Sequence, residues 1–184
     1  MGLSAWTGKL AGDARLDRVA DPLRARVRRV LGSGPADAVL SGRWLGHPLH
    51  PAVIHLPVGA WLSGAVLDLS PRHRAAATLL TGVGLAGAVP SALAGWHDWA
   101  ALSRPQRRVG LVHAGSNLLA VALYGASLAA RRGGAPGVGR GLSVAGLCAA
   151  GVGAYLGGHL SYHGRHLTSP HPASDRADAD AVSI

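Results

Sequence analysis

Four stretches of this chain, His50 to Leu69, Ala75 to Trp96, Leu111 to Ala130 and Leu142 to Tyr162, are almost wholly apolar. Each runs for about 20 residues, the length of helix that crosses roughly 30 Å of hydrocarbon. Such runs leave little choice of structure, because in lipid every backbone N–H and C=O must be satisfied within its own segment, which a helix does. Composition agrees: 48% of the 184 residues are hydrophobic and only 15% are charged. The connections are short, "SPRHR" (70 to 74) above all, so consecutive spans are antiparallel neighbours. The expected fold is all-α, an integral membrane up-down four-helix bundle.

A formal charge of +9, with 18 Lys and Arg against 9 acidic residues, raises the question of nucleic acid. The distribution answers it. Thirteen of the basic residues fall on one side of the spans: Lys9, Arg15, Arg18, Arg24, Arg26, Arg28, Arg29 and Arg43 before the first, Arg104, Arg107 and Arg108 in the second loop, Arg165 and Arg176 in the tail. Arg72, Arg74, Arg131, Arg132 and Arg140 fall on the other. Positive-inside bias places both termini in the cytoplasm, with the lipid bilayer and no nucleic acid as partner. No cleavable leader is expected, since some fifty residues of charged sequence precede the first apolar run.

Three regions follow: residues 1–43 as a cytoplasmic N-terminal region, 44–164 as the transmembrane domain, and 165–184 as a polar, proline-containing, disordered cytoplasmic tail. In "ARLDRVADPLRARVRRVL" (14 to 31), Leu16, Val19, Leu23, Val27 and Val30 recur at three and four with arginines between them. This is an amphipathic basic helix at the interface. It is read as lying on the anionic leaflet, the alternative being a helix packed on the bundle's ends. "GSGPAD" (32 to 37) is read as a loop. Small residues line the expected contacts: Thr81, Gly84, Ala88, Ser91 and Gly95 in the second span, and the GxxxG of Gly153 and Gly157 in the fourth. Pro90 should bend the second span by denying the Ala86 carbonyl its partner.

The antiparallel topology gathers the histidines. His47, His50 and His55 begin the first span, His97 ends the second, His113 begins the third, and His159 with His163 ends the fourth. All seven converge on one leaflet. His113, Asn117, Tyr124 and Ser127 share one face of the third span, and Tyr155, His159 and Tyr162 one face of the fourth. Polar stripes of this kind face a bundle interior, where lipid cannot strand their hydrogen bonds. Proline after His47 and after His50 favours an extended "HPLHP" with helix beginning near Pro51.

"GRWLGHPLHPAVIHLPVGAW", "GWHDWA", "GLVHAGSNLLAVALYGASLAARR" and "AYLGGHLSYHG" together resemble the bacterial membrane family known as domain of unknown function 2231, over about residues 40 to 164. The signatures "WLGHPLHP" and "YLGGHL" are the specific ones. The resemblance implies a multi-pass protein of the bacterial cytoplasmic (inner) membrane. It also implies a redox setting, because similar chains are often joined to a Rieske iron-sulfur domain. This tail has no CxH and CxxH ligand pattern for such a centre.

Three functional classes stay open, and so does whether the chain is an enzyme. One is a redox subunit holding haem b between imidazoles of diagonal spans, His55 with His113 or His97 with His159, walled by Trp44, Trp61, Trp96 and Trp99. A Rieske protein or a quinone would be its redox partner. A second is a transition-metal or proton site in which His47, His50, Asp98 and His163 meet near the interface. The third is a structural or assembly subunit, with a homo-oligomer among its candidate states. No glutamate exists in the chain, which excludes HExxH and glutamate-dependent dimetal sites. Asp68 is read as capping or as pairing with Arg72 or Arg74, with proton entry as the alternative, Asn117 and Tyr124 as interhelical hydrogen-bonders, and Cys148 as a small buried apolar residue.

Topology is directly testable in a Cys148→Ala background. Cysteines introduced at Ser4 and Ser183 should react in intact cells only with a membrane-permeant reagent, and one at Ser70 with an impermeant reagent. Ends found on opposite faces would exclude an even number of spans.

Overall fold

The computed structural model describes the backbone of residues 3–166 and the side chains of residues 5–162. Most of the tail assigned to 165–184 therefore lies outside the described residues. Among the described residues, eight α-helices follow in order: α1 (Leu3–Gly12), α2 (Asp17–Leu31), α3 (Gly34–Leu40), α4 (Leu49–Val53), α5 (His55–Leu67), α6 (Arg74–Ala101), α7 (Arg104–Arg132) and α8 (Pro136–His166). There is no strand among the described residues. Among the described residues, four stretches are long and apolar enough to cross a membrane: Leu49–Leu67, Pro71–Ala101, Arg104–Arg132 and Pro136–Tyr162.

Glycines set the register between spans. A Cβ on Gly84 would lie 2.1 Å from Trp61 Nε1, and one on Gly95 would lie 2.9 Å from His50 Cε1, so α6 runs antiparallel to α4 and α5. Gly153 faces Asn117 and Gly157 faces His113 in the same way, so α8 runs antiparallel to α7. The expected small-residue stripe is buried at Thr81, Gly84, Ala88 and Ser91. In lipid there is no hydrophobic drive between helices, and close backbone approach supplies the dispersion contacts instead.

The prolines are tolerated for separate reasons. Pro48 is extended (ψ 138°) and caps α4, which begins at Leu49. His50 is therefore helical, which corrects the extended geometry expected there. Pro51 falls in the first turn, where a missing N–H costs nothing, and the His50 ring is anchored to the second span, which outweighs the pre-proline preference. Pro57 interrupts the first span only briefly: Ile54 N donates to His50 O at 3.1 Å and Val58 N to Ile54 O at 3.2 Å. α6 continues through Pro90, and the neighbouring Gly87 carbonyl accepts the Ser91 hydroxyl at 2.8 Å.

At one end of the bundle, here the near end, α6 and α7 extend past the apolar runs. Their connection is only Leu102 and Ser103, closed by a hydrogen bond from Ser103 N to Gln106 Oε1 at 3.1 Å. Arg104, Arg107 and Arg108 accordingly belong to the first turns of α7 rather than to a loop. The extensions receive α2, whose fully buried Ala20 packs with Trp99 and Ala100, flanked by Leu23 and Val27. Arg108 grips Asp17 through two hydrogen bonds (2.8 and 2.6 Å) and the Ala11 carbonyl at 2.7 Å, while Arg107 reaches Asp21 at 3.1 Å. The amphipathic helix is thus packed on the bundle's end, the alternative to the leaflet-bound reading. The apolar runs understate how far α6 and α7 project to receive it. "GSGPAD", expected as a loop, supplies only a turn before α3 starts at Gly34.

The far end is held by a buried ion pair. Arg131 and Asp68 make a two-pronged contact, Nη1 to Oδ1 being 2.8 Å, and Arg131 also donates to Ser127 (3.1 Å) and Ser143 (3.2 Å). Asp68 thereby joins the first span to the third, which corrects its expected pairing with Arg72 or Arg74. Cys148 is exposed rather than buried, on the outer face of α8.

Truncating one member of a buried pair strands the other charge, at a cost of about 3–5 kcal/mol. Arg131→Met should lower unfolding stability in detergent by that order, and Asp68→Leu combined with Arg131→Met should recover most of it. Equal stability of the single and double variants would show that the pair does not couple the spans.

Candidate functional site

The near half of the bundle interior holds two imidazoles from diagonal spans. His50 of α4 and His113 of α7 have ring centroids 6.4 Å apart at an interplanar angle of 88°. His50 Nδ1 meets the Ser91 carbonyl at 2.8 Å, and His113 Nδ1 meets the Gly153 carbonyl at 2.7 Å. A ring nitrogen approaches a carbonyl oxygen only as a donor, so both rings carry their proton on Nδ1 when neutral. That leaves Nε2 as the acceptor on each. Asn117 Nδ2 donates to His113 Nε2 at 3.0 Å, one helical turn along the same face.

A second group continues toward the near-end surface. His97, largely buried, donates Nε2–H to Asp37 Oδ1 at 2.9 Å and has a longer contact of 3.4 Å from Nδ1 to Asp98 Oδ1. Asp37 also accepts from Arg43 Nη2 at 2.7 Å. Hydrogen bonds from His97 first, and then from Arg43, hold the Asp37 carboxyl below the ordinary carboxylate range. Asp98 follows Gly95, against which the His50 ring packs, by one turn of α6. Carboxylates and imidazoles therefore run from Asp37 at the surface, through His97, Asp98 and His50, to His113 within the bundle.

The other expected site residues are placed differently. His55 is exposed, its Nδ1 donating to Ala52 O at 3.2 Å, so it does not face His113. His47 is exposed and bonds the Pro48 carbonyl at 3.0 Å. His159 is half-buried on α8, and the His163 side chain lies outside the described residues. Among the described residues, no three His, Cys or Asp side chains group as metal ligands. Tyr155 and Tyr162 are exposed, so the inner face of α8 is made instead by Ser143, Gly153 and Leu156. The tryptophans do not wall one space: Trp44 is exposed, Trp61 stacks on Tyr124 at 4.1 Å, and Trp96 meets Trp99 edge-on at 5.1 Å beneath α2.

Sequence reading missed Asp37 and the anchoring carbonyls of Ser91 and Gly153. Asp37 sits in a stretch read as loop, 60 residues from His97, and carried no spacing signal. The glycines at 95 and 157 were visible as helix contacts but not as seats for imidazole rings.

Membrane-length helices enclosing an imidazole pair define a multi-pass, all-α membrane protein. The chain belongs to the family described as "Predicted membrane protein (DUF2231)", whose profile matches residues 46–170, more than half its length. No curated protein matches it, and no solved structure does.

The Asp37 contact fixes a pH dependence. A carboxyl with a lowered folded pKa stabilises the fold above its unfolded value of about 4 and loses that contribution as pH falls through the folded value. Asp17, lowered by its hydrogen bonds from Arg108, carries the same sign. Relative to the intrinsic exchange rate at each pH, the protection of amides in α2 and α3 should therefore be unchanged from pH 7 to 5 and fall steeply below about pH 4, ahead of the spans. Protection persisting to pH 2 would refute the role of these carboxylates in docking.

Proposed function

We propose that this is a multi-pass protein of the bacterial cytoplasmic membrane, both termini inside the cell, whose working part is a proton relay from the cytoplasmic surface into the bundle. The relay runs through Asp37, His97, Asp98, His50 and His113. The observation that carries it is the anchoring of both inner rings through Nδ1 to main-chain carbonyls of neighbouring spans. A ring so held exchanges a proton through Nε2 alone, and on His113 the Asn117 amide that donates to this atom turns aside for each transfer. Ionisable groups inside a membrane are costly and are retained for such work. Beyond Asn117 the stacked Trp61 and Tyr124 close the interior, so the relay ends within the bundle. The partner proposed is a quinone or a Rieske-type protein, in keeping with the resemblance to Rieske-linked chains; quinone reduction consumes protons, which the relay would deliver.

Haem b is the second reading, and the same anchoring favours it, since a ligating imidazole is held by Nδ1–H with Nε2 left for the metal. The packing does not fit a macrocycle between these two rings. The ring centroids are only 6.4 Å apart, and Gly95 and Gly157 lie hard against the rings, leaving no gap of that width.

One preparation in mild detergent, from haem-sufficient cells, decides between them. Nitrogen-15 spectra of histidine-labelled protein should show His50 and His113 as Nδ1–H tautomers. An Nε2–H tautomer on either ring would end the relay proposal. A Soret band lost in His113→Ala would install haem in its place, and stoichiometric zinc, copper or iron without that band would install a metal site.

A further inference from the structure

A cleft of about 370 Å³ opens at the near end between α2, α3 and the last turn of α6. Arg24 and Arg28 project from α2 with Val27 and Leu31 between and beyond them, and Ala100 and Ala101 close the α6 side. Arg24 Nε donates to the Ala100 carbonyl at 2.9 Å, which fixes its guanidinium while both Nη groups donate to nothing among the described residues. The Arg28 side chain is exposed, and its guanidinium has no hydrogen bond or ion pair among the described residues. In contrast, Arg43, Arg104, Arg107, Arg108 and Arg131 each have an aspartate partner. Asp37, the acid lining this cleft, already accepts from Arg43 and His97 and is not free to neutralise either arginine.

The cleft therefore holds two guanidinium groups with unspent donors beside apolar walls, at the end of a membrane-length helix. Guanidinium forks match the oxygens of phosphate, and an arginine pair beside aliphatic side chains suits a phosphate that carries an apolar body. Free phosphate would gain nothing from Val27 and Leu31. We propose that this cleft is a binding site for the headgroup phosphate of an anionic phospholipid, with Arg24 and Arg28 donating to the phosphodiester and the glycerol end lying against Val27 and Leu31. The occupied site would tie α2 to the bilayer surface, adding lipid to the contacts that dock α2 on α6 and α7. Asp37 and His97 of the proposed relay line the same cleft, but the proposal rests on Arg24 and Arg28 and holds whether or not the relay does.

The test uses the full chain in a neutral detergent, titrated with dioctanoyl phosphatidylglycerol, dioctanoyl phosphatidylcholine or sodium phosphate while thermal unfolding is followed. Phosphatidylglycerol should raise Tm saturably and phosphatidylcholine should not. Losing one charge-assisted fork should weaken the phosphatidylglycerol response of Arg28→Gln by about tenfold or more. Because Arg28 is exposed and unpaired, this variant should keep the wild-type Tm without lipid. Arg26→Gln and Arg29→Gln remove the same charge from exposed positions of α2 outside the cleft and should respond as wild type. Equal loss in all three variants would show attraction to the helix's general field and overturn the site. An equal shift with phosphatidylcholine would overturn the charge requirement, and saturation by sodium phosphate at the same concentration would overturn the lipid assignment.

Discussion

Close approach of glycine to a bulky side chain on the next span is the contact on which the rest of this structure depends. Gly84 takes Trp61, Gly95 takes His50, Gly153 takes Asn117 and Gly157 takes His113, each at a distance that leaves no room for a Cβ without displacing the partner. In lipid, helices cannot be driven together by hiding apolar surface from water, so register must come from shape and hydrogen bonds. The same four contacts decide where the polar groups sit. An imidazole pressed against a glycine reaches a carbonyl of the neighbouring span at 2.7–2.8 Å, and the ring is thereby fixed in tautomer and in direction.

Polar groups segregate to the two ends of the interior. The near end holds the imidazoles and carboxylates, and the far end holds Arg131, Asp68, Ser127 and Ser143 in a compact buried network. Between them lies the parallel stack of Trp61 on Tyr124, with Trp61 Nε1 and the Tyr124 hydroxyl buried and without partners among the described residues. The division suits distinct tasks: the far end is a closed ion pair that fastens the first span to the third, while the near end is open to the surface through Asp37.

The N-terminal segment is part of the same machinery. Its helices dock through bidentate and single arginine–aspartate contacts to the first turns of α7, and α3 delivers Asp37 to His97. Losing that segment would remove the outermost carboxylate of the histidine chain as well as a cap over Trp99 and Ala100. The basic character of α2 thus has two structural consequences, some arginines facing outward and others lining the cleft against α6.

By itself the sequence determined the four spans and their antiparallel order, because span length and short connections admit few alternatives in a bilayer. Family membership was legible too, in the "WLGHPLHP" and "YLGGHL" stretches. It also marked the inward face of the third span through His113, Asn117, Tyr124 and Ser127. Tertiary structure alone decided which imidazoles meet. His50 and not His55 stands by His113, because helix phase at the α4–α5 junction depends on how two prolines are absorbed and on which ring finds a carbonyl across the interface. Asp37 with His97, and Asp68 with Arg131, are pairings over 60 residues or more that no local spacing encodes. They follow from where helices end and dock, and that is settled by packing rather than by periodicity.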